Sequence, residues 1–232
     1  MMKYFLCALL FVAGLGAKEV YAIFNVRALQ DANLTLDSAG IVDAIYVDVG
    51  SKVKKGEVLL TLYNKDKKSQ VDSIIQQYDF MRKQYERYSK IGRAIDRNTL
   101  DKYYSDYRKL EYDRNYSQAV VDKTILRAPF DGIIASKNIE LGDGMNANNT
   151  VLFRLVSKGV KMVIEFDSKY LPVVKVGDTF IYSIDGKSKK QEVKITKIYP
   201  TIDESTRKVS AEALLPANSP LVPGVFGDGF IQ

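Results

Sequence analysis

Acid–base chemistry in this sequence would have to come from carboxylates, because none of the 232 residues is a histidine. That absence excludes a Ser-His-Asp triad, a Cys-His pair and any zinc site with histidine ligands. Four carboxylates were considered: Asp131, Asp143, Asp203 and Glu204. Asp131 and Asp143 each precede a glycine, and Asp-Gly is a dipeptide typical of turns. We therefore expect a protein that is not an enzyme, with no catalytic residue, cofactor or metal site.

Nucleotide and nucleic-acid binding are not favoured either. The Gly-Asp-Gly motif at 227–229 is followed only by Phe-Ile-Gln, which leaves no helix to receive a phosphate. The net charge of +6 and the 15 tyrosines would suit a nucleic acid, but no recognisable motif accompanies them. We expect no nucleic-acid partner, and the positive charge instead favours solubility or docking to acidic surfaces.

The first 22 residues have the pattern of a secretory signal peptide. Lys3 precedes the apolar run at 5–17, which is shorter than the ~20 residues that span a bilayer. Small residues favour cleavage after Ala22, with cleavage after Ala17 or a retained anchor as alternatives. The only cysteine, Cys7, lies too early for a lipid attachment site, so no lipid anchor is expected. These features predict an exported protein without disulfides.

One β-rich phrase occurs twice, at 37–62 and at 126–153. Aligning the copies places Gly40 on Gly132 and Gly50 on Gly142, and apolar residues alternate around these glycines in both copies. Such a period of two with glycine punctuation predicts short strands with one buried face and glycine turns. Each copy is too small to bury that face alone. The copies therefore predict one sandwich domain split into two halves, 38–63 and 124–156.

The insert at 64–123 changes to a helical period. Apolar and tyrosine residues recur at alternating steps of three and four, which indicates two helices paired as a coiled coil. Gly92 interrupts the pattern and Asp96 is a good N-cap for the second helix. The insert predicts an antiparallel hairpin. Eight of the 15 tyrosines lie in it, either filling the seam between the helices or facing outward and packing against neighbouring hairpins.

The remaining chain alternates with period two between turn residues. Several short strands are indicated at 157–232, and the segment 23–37 could add one from the front of the chain. We expect these segments to form a small β-barrel domain. The whole chain is thus of mixed, β-rich class: a split β-sandwich that carries an antiparallel α-helical coiled-coil hairpin, plus the β-barrel.

These motifs together resemble the periplasmic adaptors, or membrane fusion proteins, of bacterial tripartite efflux pumps. The lipoyl-like halves are similar at "GIVDAIYVDVGSKVKKGEVLL" and "APFDGII", and the barrel at "KITKIYPTIDESTRKVSAEALL" and "LVPGVFGDGFI". The resemblance implies an adaptor that assembles as a homo-oligomer, a hexameric ring. Its implied partners are an inner-membrane transporter of the RND type and a TolC-like outer-membrane channel. The membrane-proximal domain common in this family is expected to be absent or truncated.

The resemblance also points to a contact site at the hairpin tip. Adaptors carry an Arg-Leu-Ser pattern there that is thought to engage the channel, and "RYSKIGRAIDRNTLDKY" is similar to it. Arg87 fits the arginine, Ile91 the leucine and Asp96 the serine. Two other functions stay open at this point: an adaptor of an ABC-type exporter or type I secretion system, and a non-catalytic module that binds envelope glycans.

Overall fold

The computed structural model describes residues 19–91, 95–184, 190–216 and 218–232. The chain divides into two compact units, of which one is inserted into the other. The outer unit, called the barrel unit here, consists of Met1–Leu29 and Gly159–Gln232. The inserted unit, called the lipoyl-like unit, is Gln30–Lys158 and includes the helical hairpin. The mixed, β-rich fold class predicted from the sequence is confirmed.

Two four-stranded sheets make up the lipoyl-like unit. Its strands are β2 (Asp31–Leu34), β3 (Gly40–Ile45), β4 (Lys52–Val53), β5 (Val58–Leu62), β6 (Ile125–Arg127), β7 (Gly132–Lys137), β8 (Gly144–Met145) and β9 (Phe153–Val156). The sheet orders are β2-β9-β7-β4 and β6-β5-β3-β8. Each repeated half therefore gives a short strand to the sheet that the other half supplies. Val53 of β4 pairs with Gly132 of β7, and Gly40 of β3 pairs with Met145 of β8.

The buried face predicted from the repeat forms one core. Residues at equivalent positions of the two halves, such as Val42 and Ile134 or Leu60 and Leu152, are almost fully buried. Burial of each such side chain contributes about 1.5–3 kcal/mol. The pair Val49 and Leu141 departs from this pattern, since both side chains are exposed, by 59% and 67%. They lie beside the glycine turns, where the chain leaves the sandwich.

The hairpin between β5 and β6 consists of α1 (Lys65–Ile91) and α2 (Arg97–Asp122). At 1.5 Å per residue each helix is about 40 Å long. Among the side chains that the structure describes, Val71, Tyr78 and Val121 of the hairpin are buried. Within the described residues, no helix combines the length and the apolar character needed to cross a bilayer.

Seven antiparallel strands form the sheet of the barrel unit. They are β1 (Val20–Ala28), β10 (Val160–Asp167), β11 (Thr179–Ser183), β12 (Gln191–Lys194), β13 (Lys197–Ile202), β14 (Lys208–Leu214) and β15 (Phe226–Ile231). Their order is β12-β11-β15-β1-β10-β14-β13, so β1 is the central strand. Every second residue of β1 from Val20 to Ala28 is buried in the core, in the alternation that a half-buried strand requires. The front of the chain thus supplies a strand to this sheet.

The observed boundary between the units differs from the predicted one at the front of the chain. The sequence pattern assigned 23–37 to the barrel, whereas the first segment of the barrel unit ends at Leu29. The reason is β2, in which Asp31 to Leu34 pair with Val156 to Phe153 of β9. Alternation alone could not show which sheet would receive this strand.

Candidate functional site

Three of the four candidate carboxylates, those of Asp131, Asp143 and Asp203, accept hydrogen bonds in turns. Asp131 Oδ1 accepts a hydrogen bond from the Lys55 backbone N–H at 2.7 Å, which ties one half of the sandwich to the other. Asp143 Oδ2 accepts one from the Glu140 N–H at 2.8 Å. Glu204 is exposed. In the part of the chain that the structure describes, no three His, Cys, Asp or Glu side chains are grouped so that they could hold a metal ion.

Asp203 holds the turn between β13 and β14. Its Oδ1 accepts hydrogen bonds from the Ser205 hydroxyl at 2.6 Å and from the Thr206 N–H at 2.8 Å. These bonds, that from the Ser205 side chain first, lower the pKa of Asp203 from 3.8 to about 2. Because this pKa is lower in the folded chain than in the unfolded chain, the carboxylate stabilises the fold above about pH 4. The contribution is lost as the pH falls toward about 2.

We predict that Asp203→Asn lowers the melting temperature near neutral pH and that the difference from the parent shrinks below about pH 4. At low pH the parent carboxyl is itself neutral, so the two proteins converge. Calorimetric scans at several pH values measure the effect. Glu204→Gln is the matched control, since it makes the same charge change at the neighbouring exposed residue. A difference that is independent of pH would contradict the assigned role of the Asp203 carboxylate.

The predicted contact residues lie at the far end of the hairpin. Arg87 is exposed in the last part of α1, with its guanidinium carbon 5.9 Å from the centre of the Tyr88 ring. Ile91 is the last residue of α1, and its side chain lies outside the described residues, as do 92–94. Asp96 is the N-cap of α2, as its sequence predicted: its Oδ2 accepts a hydrogen bond from the Thr99 N–H at 3.0 Å. Arg87 and Asp96 therefore lie near the two helix ends that face this segment.

Tyrosines stiffen the half of the hairpin nearest this tip. Tyr88 and Tyr103 stack across the seam with ring centres 4.5 Å apart, and Tyr85 stacks on Tyr107 at 5.7 Å. Offset ring pairs of this kind contribute about 0.5–1.5 kcal/mol each beyond area burial. Three other tyrosines are exposed, namely Tyr104, Tyr112 and Tyr116, although the Tyr104 ring also lies 5.3 Å from that of Tyr85. The stacked pairs thus fill the seam between the helices.

The base of the hairpin is fixed by a buried polar pair that the sequence did not reveal. The Asn64 side-chain amide donates a hydrogen bond to the Thr124 hydroxyl at 2.7 Å, and both residues are buried. The Thr124 hydroxyl in turn donates to the Val121 carbonyl oxygen at 2.6 Å. Breaking the pair would leave a buried donor or acceptor unsatisfied. The two helices therefore enter the sandwich in one fixed arrangement.

An ion pair supports the same junction from the surface. Lys123, the C-cap of α2, lies 2.7 Å from the Asp37 carboxylate, which also accepts a hydrogen bond from the Asn148 amide at 3.1 Å. Hydrogen bonds from Lys123 and then from Asn148 lower the pKa of Asp37. An exposed pair of this kind contributes little energy. It nonetheless connects the helix end to both halves of the sandwich.

The four glycines aligned by the repeat occupy two kinds of position. Gly50 and Gly142 lie in turns with φ of +84° and +88°, where a side chain is unfavourable. Gly40 and Gly132 are not in turns, because they begin the equivalent strands β3 and β7. At Gly132 a Cβ would lie 2.4 Å from the Val156 carbonyl oxygen. Close strand packing explains that glycine.

Taken together, these contacts describe a long helical hairpin whose base is fixed in the sandwich and whose end carries Arg87 and Asp96. A family model described as a CzcB-like, barrel-sandwich hybrid domain matches residues 30–156. The chain belongs to this CzcB-like family. The matched range coincides with the lipoyl-like unit, including β2 and the whole hairpin. The resemblance to periplasmic efflux adaptors indicated by the sequence is confirmed.

Two curated relatives extend the CzcB-like similarity beyond that domain. An uncharacterized protein of Haemophilus influenzae is 26% identical over 194 residues, which cover 81% of this chain and 50% of the relative. The cobalt-zinc-cadmium resistance protein CzcB of Cupriavidus metallidurans is 24% identical over 196 residues, which cover 76% of this chain and 37% of the relative. The chain thus spans half or less of the length of these relatives.

A solved structure supports the same arrangement of the fold. A MacA–MexA chimeric protein that contains the Pseudomonas aeruginosa MexA α-hairpin domain superposes with a TM-score of 0.81. The match covers 92% of this chain and 81% of that chain at 18% identity. At this identity the similarity concerns the fold, including the hairpin inserted into the CzcB-like domain.

Proposed function

We propose that this protein is a periplasmic adaptor subunit that bridges an inner-membrane transporter and an outer-membrane channel for efflux. One observation carries the proposal: a long helical hairpin is inserted between two sandwich halves that share strands. A hairpin that contacts a partner at its tip needs a rigid sandwich at its base. The strand exchange, the buried Asn64–Thr124 pair and the tyrosine seam all supply such stiffness.

The partners follow from this role. The tip at Arg87, Ile91 and Asp96 would contact a TolC-like outer-membrane channel. The transporter at the other end is proposed to be of the RND type, and the adaptor to assemble as a hexameric homo-oligomeric ring. Sequence similarity to CzcB, a cobalt-zinc-cadmium resistance protein, supports divalent metal cations as the first substrate class to test. The role is mechanical and involves no catalytic step.

Deletion and complementation in the source organism test the function. We expect loss of the gene to raise intracellular Zn²⁺, Co²⁺ or Cd²⁺ and to lower tolerance of these ions. Crosslinking of the native protein should recover a transporter and a channel together. Recovery of an ABC-type transporter would correct the RND assignment. Recovery of envelope glycan without any transporter would overturn the adaptor function.

The position of β1 leads to a prediction about processing. Cleavage after Ala22 would remove Val20, Tyr21 and Ala22, which pair with Ile231, Phe230 and Gly229 of β15. Val20 and Ala22 are also core residues, exposed by 2% and 1%. Cleavage after Ala17 would leave the central strand whole. We therefore predict that the exported protein begins at Lys18 and not at Ile23.

Intact-mass measurement of protein purified from the periplasm checks this prediction, and N-terminal sequencing identifies the first residue. A chain engineered to begin at Ile23 should melt at a lower temperature than one that begins at Lys18. A natural first residue of Ile23 in a stably folded protein would contradict the prediction.

A further inference from the structure

The last strand of the barrel unit carries two phenylalanines on its exposed face, although Ile231 of the same strand is buried in the core. In β15 the glycines Gly227 and Gly229 face inward, while Phe226, Asp228 and Phe230 face outward. A Cβ on Gly229 would lie 2.2 Å from the Ile181 carbonyl oxygen, and one on Gly227 would lie 2.8 Å from the Phe24 ring. The inner positions are therefore closed to side chains, but nothing in the packing requires phenylalanine at the outer ones.

These outward residues form a continuous surface with the neighbouring strand. Tyr21 of β1 lies opposite Phe230, and their rings make an edge-to-face contact at 5.8 Å. Phe226, Tyr21 and Phe230 remain exposed by 71%, 53% and 42%. We call the surface of Tyr21, Phe226, Asp228 and Phe230 the β15 aromatic face. Exposed aromatic groups clustered in this way mark interaction sites.

The charge on this face is acidic, although the chain as a whole carries +6. Asp228 lies between the two phenylalanines, and Ile23 beside it pairs on its other side with Glu165. Among the described residues, no lysine or arginine forms an ion pair with Asp228 or Glu165. On the same sheet face Glu212 is compensated by Lys161 and Lys197, whereas Glu192 of β12 has no ion pair among the described residues. The β15 aromatic face therefore lies among carboxylates that are not compensated.

We propose that the β15 aromatic face binds a segment of a partner protein that presents a lysine or arginine between apolar side chains. The cation would lie against the Asp228 carboxylate and over the neighbouring aromatic rings, and the apolar flanks would cover Phe226 and Phe230. Anionic lipid headgroups would be repelled by the carboxylates. A second copy joined through the same face would oppose Asp228 to its own equivalent. The proposal does not depend on efflux as the function.

Photo-crosslinking in the source organism tests the proposal on the full chain. Phe226 is replaced by p-benzoylphenylalanine, the cells are irradiated, and the attached peptide is identified by mass spectrometry. We expect one peptide with a lysine or arginine close to the site of attachment. Asp228→Asn in the same background should lower the crosslinking yield by about fivefold, the loss expected for one charge-assisted contact. The charge reversal Asp228→Lys should abolish the crosslink. Replacement of the partner's lysine or arginine by glutamate should then restore it.

The matched control places the photoreactive residue at Tyr112, a similarly exposed aromatic position on the hairpin. Asp228→Asn should leave that yield unchanged. Melting temperatures of all variants should stay close to the parent, because Phe226 and Asp228 are exposed. The proposal is overturned if Phe226 gives no crosslink above background, or if it gives only lipid, another copy of this chain or a peptide without a cation. Insensitivity to Asp228→Asn would overturn it as well.

Discussion

Gly132→Ala is expected to destabilise the lipoyl-like unit strongly. The added Cβ would lie 2.4 Å from the Val156 carbonyl oxygen and 3.0 Å from Leu155 Cδ1. The first of these atoms belongs to the backbone of β9, which is paired with β7 and cannot move without breaking the sheet. Gly132 also pairs with Val53 of β4, so a displacement of Gly132 would weaken the strand exchange between the two halves. We expect a loss of about 3 kcal/mol or more in the free energy of unfolding.

Urea unfolding and thermal melts followed by circular dichroism measure this loss, and the turn glycine of the same half provides the control. At Gly142 no atom lies within 4 Å of an added Cβ, so only its φ of +88° opposes a side chain. Gly142→Ala should therefore cost about 1–2 kcal/mol. Gly50→Val and Gly142→Val should each cost at least about 1 kcal/mol for the same reason. A Gly132→Ala protein as stable as Gly142→Ala would show that β7 has room that the structure does not indicate.

The double substitution Arg87→Ala/Ile91→Ala is expected to abolish export while leaving the fold intact. Arg87 is exposed and its described contact is with the neighbouring Tyr88 ring, so its removal should change stability little. As proposed channel contacts, the two residues supply a cation and an apolar group at the end of the rod. Metal tolerance of cells that carry the variant should fall to that of the deletion strain. Channel crosslinking should disappear, and circular dichroism and melting temperature should match the parent.

Asp96→Ala separates a structural effect at the tip from a contact effect. Loss of its hydrogen bond to the Thr99 N–H should cost about 1 kcal/mol and shorten α2. A partial loss of export in this variant should therefore accompany lower stability. Normal export by a stable, well-expressed Arg87→Ala/Ile91→Ala protein would remove the tip from the mechanism.

Most of the fold could be predicted from the repeated phrase and from the periods of the apolar residues. Side chains such as Val42 and Ile134 alternate because one face of each half is buried, and the hairpin steps by three and four because its helices share a seam. Both patterns are local, so they can be read without knowing the partner strands. Asp96 could be assigned as an N-cap for the same reason: its bond reaches only to Thr99.

Features that depend on distant partners could not be predicted. The assignment of β2 depends on β9, and the Asn64–Thr124 pair joins two ends of a 60-residue insert. Gly132 has the sequence context of a turn glycine. A side chain is excluded there by the carbonyl oxygen of Val156 and not by a turn. The β15 aromatic face could not be predicted from the Gly-Asp-Gly motif, because the sequence alone does not indicate which side of the strand faces the core.

The position of β1 sets the order in which the chain can fold. This strand is made first among the described elements, yet one of its edges pairs with β15, which is made last. Until β15 is available for pairing, Val20, Ala22, Phe24 and Val26 lie in an apolar strand with an open edge, the kind of segment that aggregates. The lipoyl-like unit lies wholly between these strands and can fold earlier. An incomplete chain therefore lacks one of the two partners of β1, and the barrel unit can close only when β15 is present.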